Sequence, residues 1–406
     1  MPDFRYTAHD KDGRTVSAVA AASDRIALAR NLRDEGLIVY RAVELTKLSR
    51  EHLKERLNIF FSSVGLKEKI VFANNLGAMI DAGLSLTRAL DILKRETRNP
   101  KLQNILSSIE MRIGQGGTLT DALSDFPEVF PAFFIAMVNS GEESGRLPET
   151  LKTVSEQLAK TYELRKKIRG AMIYPTIIIG VIIVIGILMM VYLVPTLAET
   201  FKELDAELPV PTKIVIGISD FLQNNILTFL LLTSGIGLVF WRGMRTKKGK
   251  RWLAYVILRL PVIGGLAKQA NSAVTTRTLS SLISSGIGIV HALDITRQVV
   301  QNPYYVDVLE IAQKEVQKGL TLSSIFQKEE KLYPIFVGEM IDVGEETGKL
   351  SEMLAKTADF YEEEVDAATK NLSTIIEPAL MIFVGLAVGF FAVAMIQPIY
   401  SLGDFI

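Results

Sequence analysis

The chain has 406 residues, 49% of them apolar and 22% charged, and its mean hydropathy of +0.27 is high for a soluble protein of this size. Basic and acidic residues balance at 45 each, which argues against the strong positive excess of a protein whose main partner is nucleic acid. Cysteine is absent and histidine occurs three times (His9, His52, His291), which excludes disulfides, iron–sulfur clusters, thiolate zinc sites and a histidine-rich metal centre.

In chain order, residues 1–45 predict a small β-β-α-β module. FRYTA and TVSAVAA flank a turn at Asp10 to Gly13, Ser23 caps a helix ending at Gly36, and LIVYRAVEL is the last strand. The opening is polar and lacks the apolar core of a secretory signal, which predicts a cytoplasmic N-terminus. Residues 46–66 are a charged linker. Residues 67–170 show apolar positions at spacings of three and four (Leu76, Met79, Ile80, Leu84), with breaks at Gly83, Asn99-Pro100, Gly116-Gly117, Pro127 to Pro131 and Gly141 to Pro148. This pattern predicts a bundle of six short helices, the last running into a membrane.

Three apolar runs follow, at 171–194, 223–241 and 374–398. A bilayer core about 30 Å thick needs about 20 helical residues, and the first and third runs fit well. Between them, 195–222 reads as an external loop, 242–269 as a cytoplasmic connector and 270–373 as a second six-helix bundle; 399–406 is an external tail. Orientation comes from the basic clusters. Arg165, Lys166, Lys167 and Arg169 precede the first span; Arg242, Arg245, Lys247, Lys248, Lys250 and Arg251 follow the second. Both belong on the cytoplasmic side. The expected fold is thus a mainly α, polytopic membrane protein with two repeated bundles and three spans.

The second bundle repeats the first. Shifted by 203 residues, the chain matches itself without a gap. Gly83 falls on Gly286, Asn99-Pro100 on Asn302-Pro303, and Gly141-Glu142-Glu143 on Gly344-Glu345-Glu346. Gly145 falls on Gly348, Leu147 on Leu350, Pro175 on Pro378 and Pro195 on Pro398. The repeated Gly-Glu-Glu-(Ser/Thr)-Gly-x-Leu is the most distinctive motif. Its glycines bracket a tight corner between helices, and its glutamates either cap nearby helix N-termini or present acid to a partner. Glu142, Glu143, Glu345 and Glu346 are therefore the partner-contact candidates, beside the alternative that the corner is purely structural.

The segment from Gly344 to Leu350 is not a phosphate loop. It has three residues between its glycines instead of four, and leucine where a magnesium-binding hydroxyl belongs. No catalytic, cofactor or metal residues are assigned. Within the third span, Glu377 is the lone acid, and burying it at mid-bilayer costs about 3 kcal/mol. It reads as a boundary residue or as a contact to another membrane helix. Pro378 follows it, and Gly385 and Gly389 form a GxxxG face suited to close helix packing.

Two copies of a helical module, a GEExGxL corner in each, a proline-marked span after each and the opening FRYTAHDKDGRTVSAVAAAS resemble the type II secretion system F family. The resemblance covers essentially the whole chain. It implies a non-enzymatic platform in the bacterial inner membrane, shared by type II secretion and type IV pilus assembly. It implies as partners a hexameric ATPase, pilins or pseudopilins, other inner-membrane assembly proteins and further copies of the chain. Some secretion-branch members hold calcium on the first module. Here the corresponding stretches offer Arg95, Glu96, Pro148, Glu149, Lys152 and Thr153, so that site is not carried over. The alternative from another class is a duplicated membrane transporter subunit. Three spans with few polar residues and mostly cytoplasmic mass argue against it.

Overall fold

The computed structural model describes residues 3–9, 15–34, 36–44, 63–203 and 209–403. The expected turn at Asp10 to Gly13, most of the 46–66 linker and the end of the tail lie outside the described residues. The described residues are mostly helical, with one small three-stranded sheet. The described residues form two compact units, one drawn from Met1–Glu68 and Ala82–Thr118, the other from Lys69–Asp81 and Leu119–Ile406.

In the first unit, β1 (Asp3–His9), β2 (Thr15–Ala21) and β3 (Ile38–Glu44) form an antiparallel sheet in the order β2-β1-β3. Phe4, Tyr6 and Ala8 alternate along the central strand onto one face, and Leu28 and Leu32 of α1 (Arg25–Asp34) cover it. The cap of α1 differs from expectation. Asp24, not Ser23, accepts the Ala27 amide at 2.7 Å, since only its carboxylate stands at the position next to the first turn. The unit also holds α3 (Leu86–Glu96) and α4 (Pro100–Gly114). Asn99 caps α4 and holds Glu68 at 3.0 Å, and Lys94 of α3 bridges to Glu110 of α4 at 2.5 Å.

The second unit carries the rest of both repeats. From the first come α2 (Leu66–Asp81, whose first three residues fall in the other unit), α5 (Leu119–Ser124), α6 (Ala132–Ser144) and α7 (Leu147–Leu188). A π-helical segment, Met189–Leu193, leads from α7 into α8 (Val194–Glu203). Next come α9 (Val210–Asn224), α10 (Ile226–Arg245) and α11 (Lys247–Arg259). The second repeat comprises α12 (Ile263–Ser284), α13 (Ile289–Val299), α14 (Pro303–Gln317), α15 (Leu322–Lys328), α16 (Ile335–Thr347) and α17 (Leu350–Gly403).

The repeat is visible in the backbone. Left-handed glycines occur in pairs 203 residues apart: 83 and 286, 116 and 319, 145 and 348. The cores have diverged at matching positions. The rings of Phe72 and Phe130 meet at a tilt, with centroids 5.4 Å apart, in the first repeat, whereas their equivalents Thr275 and Tyr333 share a hydrogen bond of 3.1 Å. Burial pushes the pKa of the Tyr333 hydroxyl well above the ordinary tyrosine range, so it stays protonated.

One expectation is corrected. The segment 195–222 is not a simple loop, because α8 and most of α9 lie within it. The last helix of each repeat, α7 and α17, continues without a break into its apolar run. Pro175 sits inside α7 without ending it. Among the described residues two helices are long and apolar enough to cross a membrane, Leu147–Thr200 and Leu350–Ala394. The pair Lys247–Arg259 and Ile263–Ser284, bent by 112°, meets the same test only when joined. The expected middle span falls on α10, where Leu231, Ile236 and Val239 are exposed.

The bend between α11 and α12 is strained. Val262 has φ 67° and ψ −56°, and the Ile263 amide donates to Pro261 O at 2.7 Å, closing a γ-turn. A β-branched residue there costs about 1–3 kcal/mol, more than glycine's extra freedom in the unfolded chain. Val262→Gly is expected to raise the apparent melting temperature of the solubilised protein by about 2 °C. A drop in a thermal-shift scan would show that the side chain contributes more than it strains.

Candidate functional site

The corner motif explains itself residue by residue. Gly141 lies where a Cβ would fall 2.0 Å from Thr150 Oγ1, and at Gly344 one would fall 2.8 Å from the Leu350 Cα. Only glycine lets α6 and α7, and likewise α16 and α17, close this tightly. Glu142 then turns inward. Its carboxylate accepts the Leu119 amide at 2.6 Å, the Thr120 amide at 2.7 Å and the Thr120 hydroxyl. Glu345 likewise accepts Leu322 N at 2.7 Å and Ser323 N at 3.0 Å. Each glutamate therefore caps the short helix before it. Thr321, the residue at the N-cap of α15, makes no side-chain cap bond of its own. Gly145 and Gly348 end their helices at φ 70° and 69°. Of the four candidate glutamates, Glu142 and Glu345 have their carboxylates occupied, while Glu143 and Glu346 are exposed.

A polar seam joins the repeats within the second unit. Gln157 of α7 donates to Thr278 at 3.2 Å and accepts from Ser281 at 3.4 Å, both on α12. Lys160 meets Glu362 at 3.0 Å and Lys167 meets Asp366 at 2.8 Å, both across to α17. Arg277 holds Glu362 at 2.9 Å and also Asp359. The bond to Glu362 raises the Lys160 pKa, and Lys167, then Lys370, holds the Asp366 carboxyl below its usual range. Lys160, Lys167, Asp359, Glu362 and Asp366, each of them ion-paired, line a shallow cleft of 190 Å³ together with Glu163 and Glu363. No group of three or more potential metal ligands occurs among the described residues.

At the far end of the apolar rods, α9 forms a bracket. Proline has no N–H, so Pro195 leaves the carbonyl of Val191, four residues back, without its helical donor. Pro398, the repeat equivalent, does the same to Ala394. Both carbonyls are served by α9. Gln223 Nε2 donates to Val191 O at 2.7 Å, and Thr212 Oγ1 donates to Ala394 O. Ser219 Oγ reaches Met190 O, in the π segment, at 2.5 Å. Val215 of the same face packs with Val194 and Ala394. One amphipathic helix thereby supplies the bonds that two duplicated prolines remove. Beside it lies an apolar cavity of 390 Å³, lined by Ile182, Gly186, Met190, Val215, Val388 and Phe391.

The four remaining candidates lie on α17. Glu377 and Pro378 are exposed, and nothing in the chain lies within 4 Å of a Cβ placed at Gly385 or Gly389. The structure thus does not bring Glu377 together with the bracket. Sequence reasoning missed Thr212, Ser219 and Gln223. Their signal was present: each proline in an apolar helix demands a donor, and these three polar residues share one face with Val215 and Leu222.

The model of the type II secretion system protein F matches residues 72–195 and again 275–398, and that of its N-terminal domain matches 1–42. The chain belongs to the type II secretion system protein F family. Both family repeats end on the prolines that α9 brackets. The type IV pilus assembly protein PilC of Thermus thermophilus is 36% identical over 99% of this chain and 98% of its own length. PilC of Myxococcus xanthus is 33% identical over 98% and 94%. The type II secretion system protein F of Vibrio cholerae is 28% identical over 100% and 99%.

Proposed function

We propose that the chain is the inner-membrane platform of a type IV pilus or type II secretion machine, coupling a cytoplasmic hexameric ATPase to the assembly of pilin or pseudopilin fibres. The observation that carries this is the duplicated module, each copy ending in one long helix that runs on as an apolar rod. Such a rod gives a cytoplasmic partner a rigid handle on a membrane helix. The higher identity to the pilus relatives than to the secretion relative favours the pilus branch. The proposed topology has three spans, α7, α10 and α17, with the N-terminus cytoplasmic and the C-terminus external. The bent pair α11–α12 is not counted, because α12 is buried in the second bundle and α11 carries five basic residues. No catalytic constellation is proposed, and nothing favours a transporter. Glu143 and Glu346 are the acids left for a partner, Gly385 and Gly389 the free helix face, and Glu377 a contact at its edge.

The test is affinity purification of the tagged full-length chain from native membranes, with its partners identified by mass spectrometry. A hexameric ATPase and pilins are the expected companions, and Glu143→Lys with Glu346→Lys is expected to lower ATPase recovery without loss of the chain from the membrane. A preparation that keeps other complexes intact yet yields neither ATPase nor pilin rejects the reading.

A further inference from the structure

The junction of α10 and α11 breaks a rule of helix electrostatics. Lys247, Lys248 and Lys250 occupy the first turn of α11, which has no acid. Cations at a helix N-terminus oppose the macrodipole and are unfavourable. Arg242 and Arg245 close α10 immediately before it, adding positive charge to the same spot. Within this run Arg251 reaches a carboxylate, Asp307 at 2.6 Å. Arg242, Lys247, Lys248 and Lys250 form no ion pair among the described residues, and all four are exposed. Charge of one sign gathered where the fold disfavours it calls for an anion from outside the chain.

Aromatic residues surround it. Trp241, Trp252 and Tyr255 are 51%, 57% and 43% exposed. Lys248, Trp252, Tyr255 and Arg259 recur at helical spacing along one exposed stripe, while Ala254 on the opposite side is buried. The Arg245 guanidinium lies 3.7 Å over the Trp241 ring and that of Arg259 lies 4.4 Å over Tyr255. Amphipathic rings beside cations are the composition of a bilayer interface. The junction is also pinned in place. At Gly249 a Cβ would fall 2.0 Å from Gly243 O, and Thr246 Oγ1 accepts the Gly249 amide at 3.0 Å. The first turn of α11 therefore stays against the end of an apolar helix.

We propose that the α10–α11 junction is a binding surface for the headgroups of anionic phospholipids, with Arg242, Lys247, Lys248 and Lys250 holding the phosphates and Trp241, Trp252 and Tyr255 seated among the upper acyl chains. This rests on α10 being a span whose basic end faces the cytoplasm. The site gives the second bundle a fixed standing on the membrane surface, since α11 packs on both α12 and α14.

The chain's two tryptophans are both at this junction, so fluorescence excited at the red edge, where tyrosine does not absorb, reports on it alone. The full-length protein is reconstituted in phosphatidylcholine nanodiscs containing a minority of phosphatidylglycerol, with bromine on the upper acyl chain of one lipid or the other. Brominated phosphatidylglycerol is expected to quench at least about fivefold more per mole than brominated phosphatidylcholine, and 1 M salt to abolish the difference. Lys247→Gln/Lys248→Gln/Lys250→Gln is expected to lose the preference while keeping the wild-type melting temperature. Equal quenching by the two lipids in the wild type at low salt overturns the proposal, as does a triple variant that keeps the full preference. Quenching by neither lipid places the junction off the bilayer and rejects the underlying topology instead. If the triple variant fails to fold, the wild-type comparison and its salt dependence still decide.

Discussion

Glu345→Ala is expected to destabilise the second repeat by about 2–4 kcal/mol, because one side chain satisfies two amides at the start of α15. A seven-residue helix has no stability of its own and depends on packing and on its cap. Alanine leaves both amides facing a partly buried corner that water reaches poorly. Glutamine is expected to rescue only in part. Its oxygen replaces one acceptor, but its NH2 group then points at the other donor. Glu142→Ala is expected to cost as much or more, since Thr120 contributes a third donor there. Glu346→Ala and Glu143→Ala, one position along, are expected to change little. Thermal denaturation in detergent with limited proteolysis at the corner reads the series. An alanine variant at 345 as stable as the wild type would remove the capping role and return that carboxylate to the partner surface.

That contrast shows what a sequence can and cannot disclose. The duplication is legible because 203 is the offset of glycines and prolines, whose backbone demands survive divergence at other positions. The corner is half legible. Its two glycines announce a tight turn, yet whether its glutamates face in or out depends on α5 and α15 returning beside them, about twenty residues earlier in the chain. Core chemistry is less legible still. Phe72 and Phe130 became Thr275 and Tyr333, and neither change betrays its partner until the two positions are seen in contact. The bracket was hidden for a different reason. Residues 195–222 look like a connector because they are polar and charged between two long apolar runs, and the helix period that sets Thr212 and Ser219 on one face is easy to pass over there. The deficit was written in the prolines, but the matching donors lie 28 residues from Pro195 and 186 from Pro398 in sequence.

The bracket makes the second large prediction, and it is one that a mere packing role does not share. Thr212→Val keeps the shape of the side chain and removes the donor to Ala394 O. Leaving that carbonyl unpaired in apolar surroundings is expected to cost about 1–3 kcal/mol or more. Gln223→Leu is expected to do the same at Val191, and the double variant to loosen both rod ends from α9. The decisive step is to restore the lost donor within the helix itself. Pro398→Ala supplies an N–H to Ala394 O, so it is expected to rescue Thr212→Val while having little effect on Gln223→Leu; Pro195→Ala is expected to rescue Gln223→Leu and not Thr212→Val. Unfolding by SDS of the full chain in bicelles measures each corner of the two double-mutant cycles. Coupling of about 1 kcal/mol or more within each matched pair, and none in the crossed pairs, is the expected pattern. Simple additivity everywhere would mean that α9 is held by its apolar face alone. The crossed design matters because Pro195 and Pro398 are duplicated and their donors are not: a single unrepeated helix supplies both bonds, so the two repeats are tied together where this pair of prolines would otherwise leave each with the same defect.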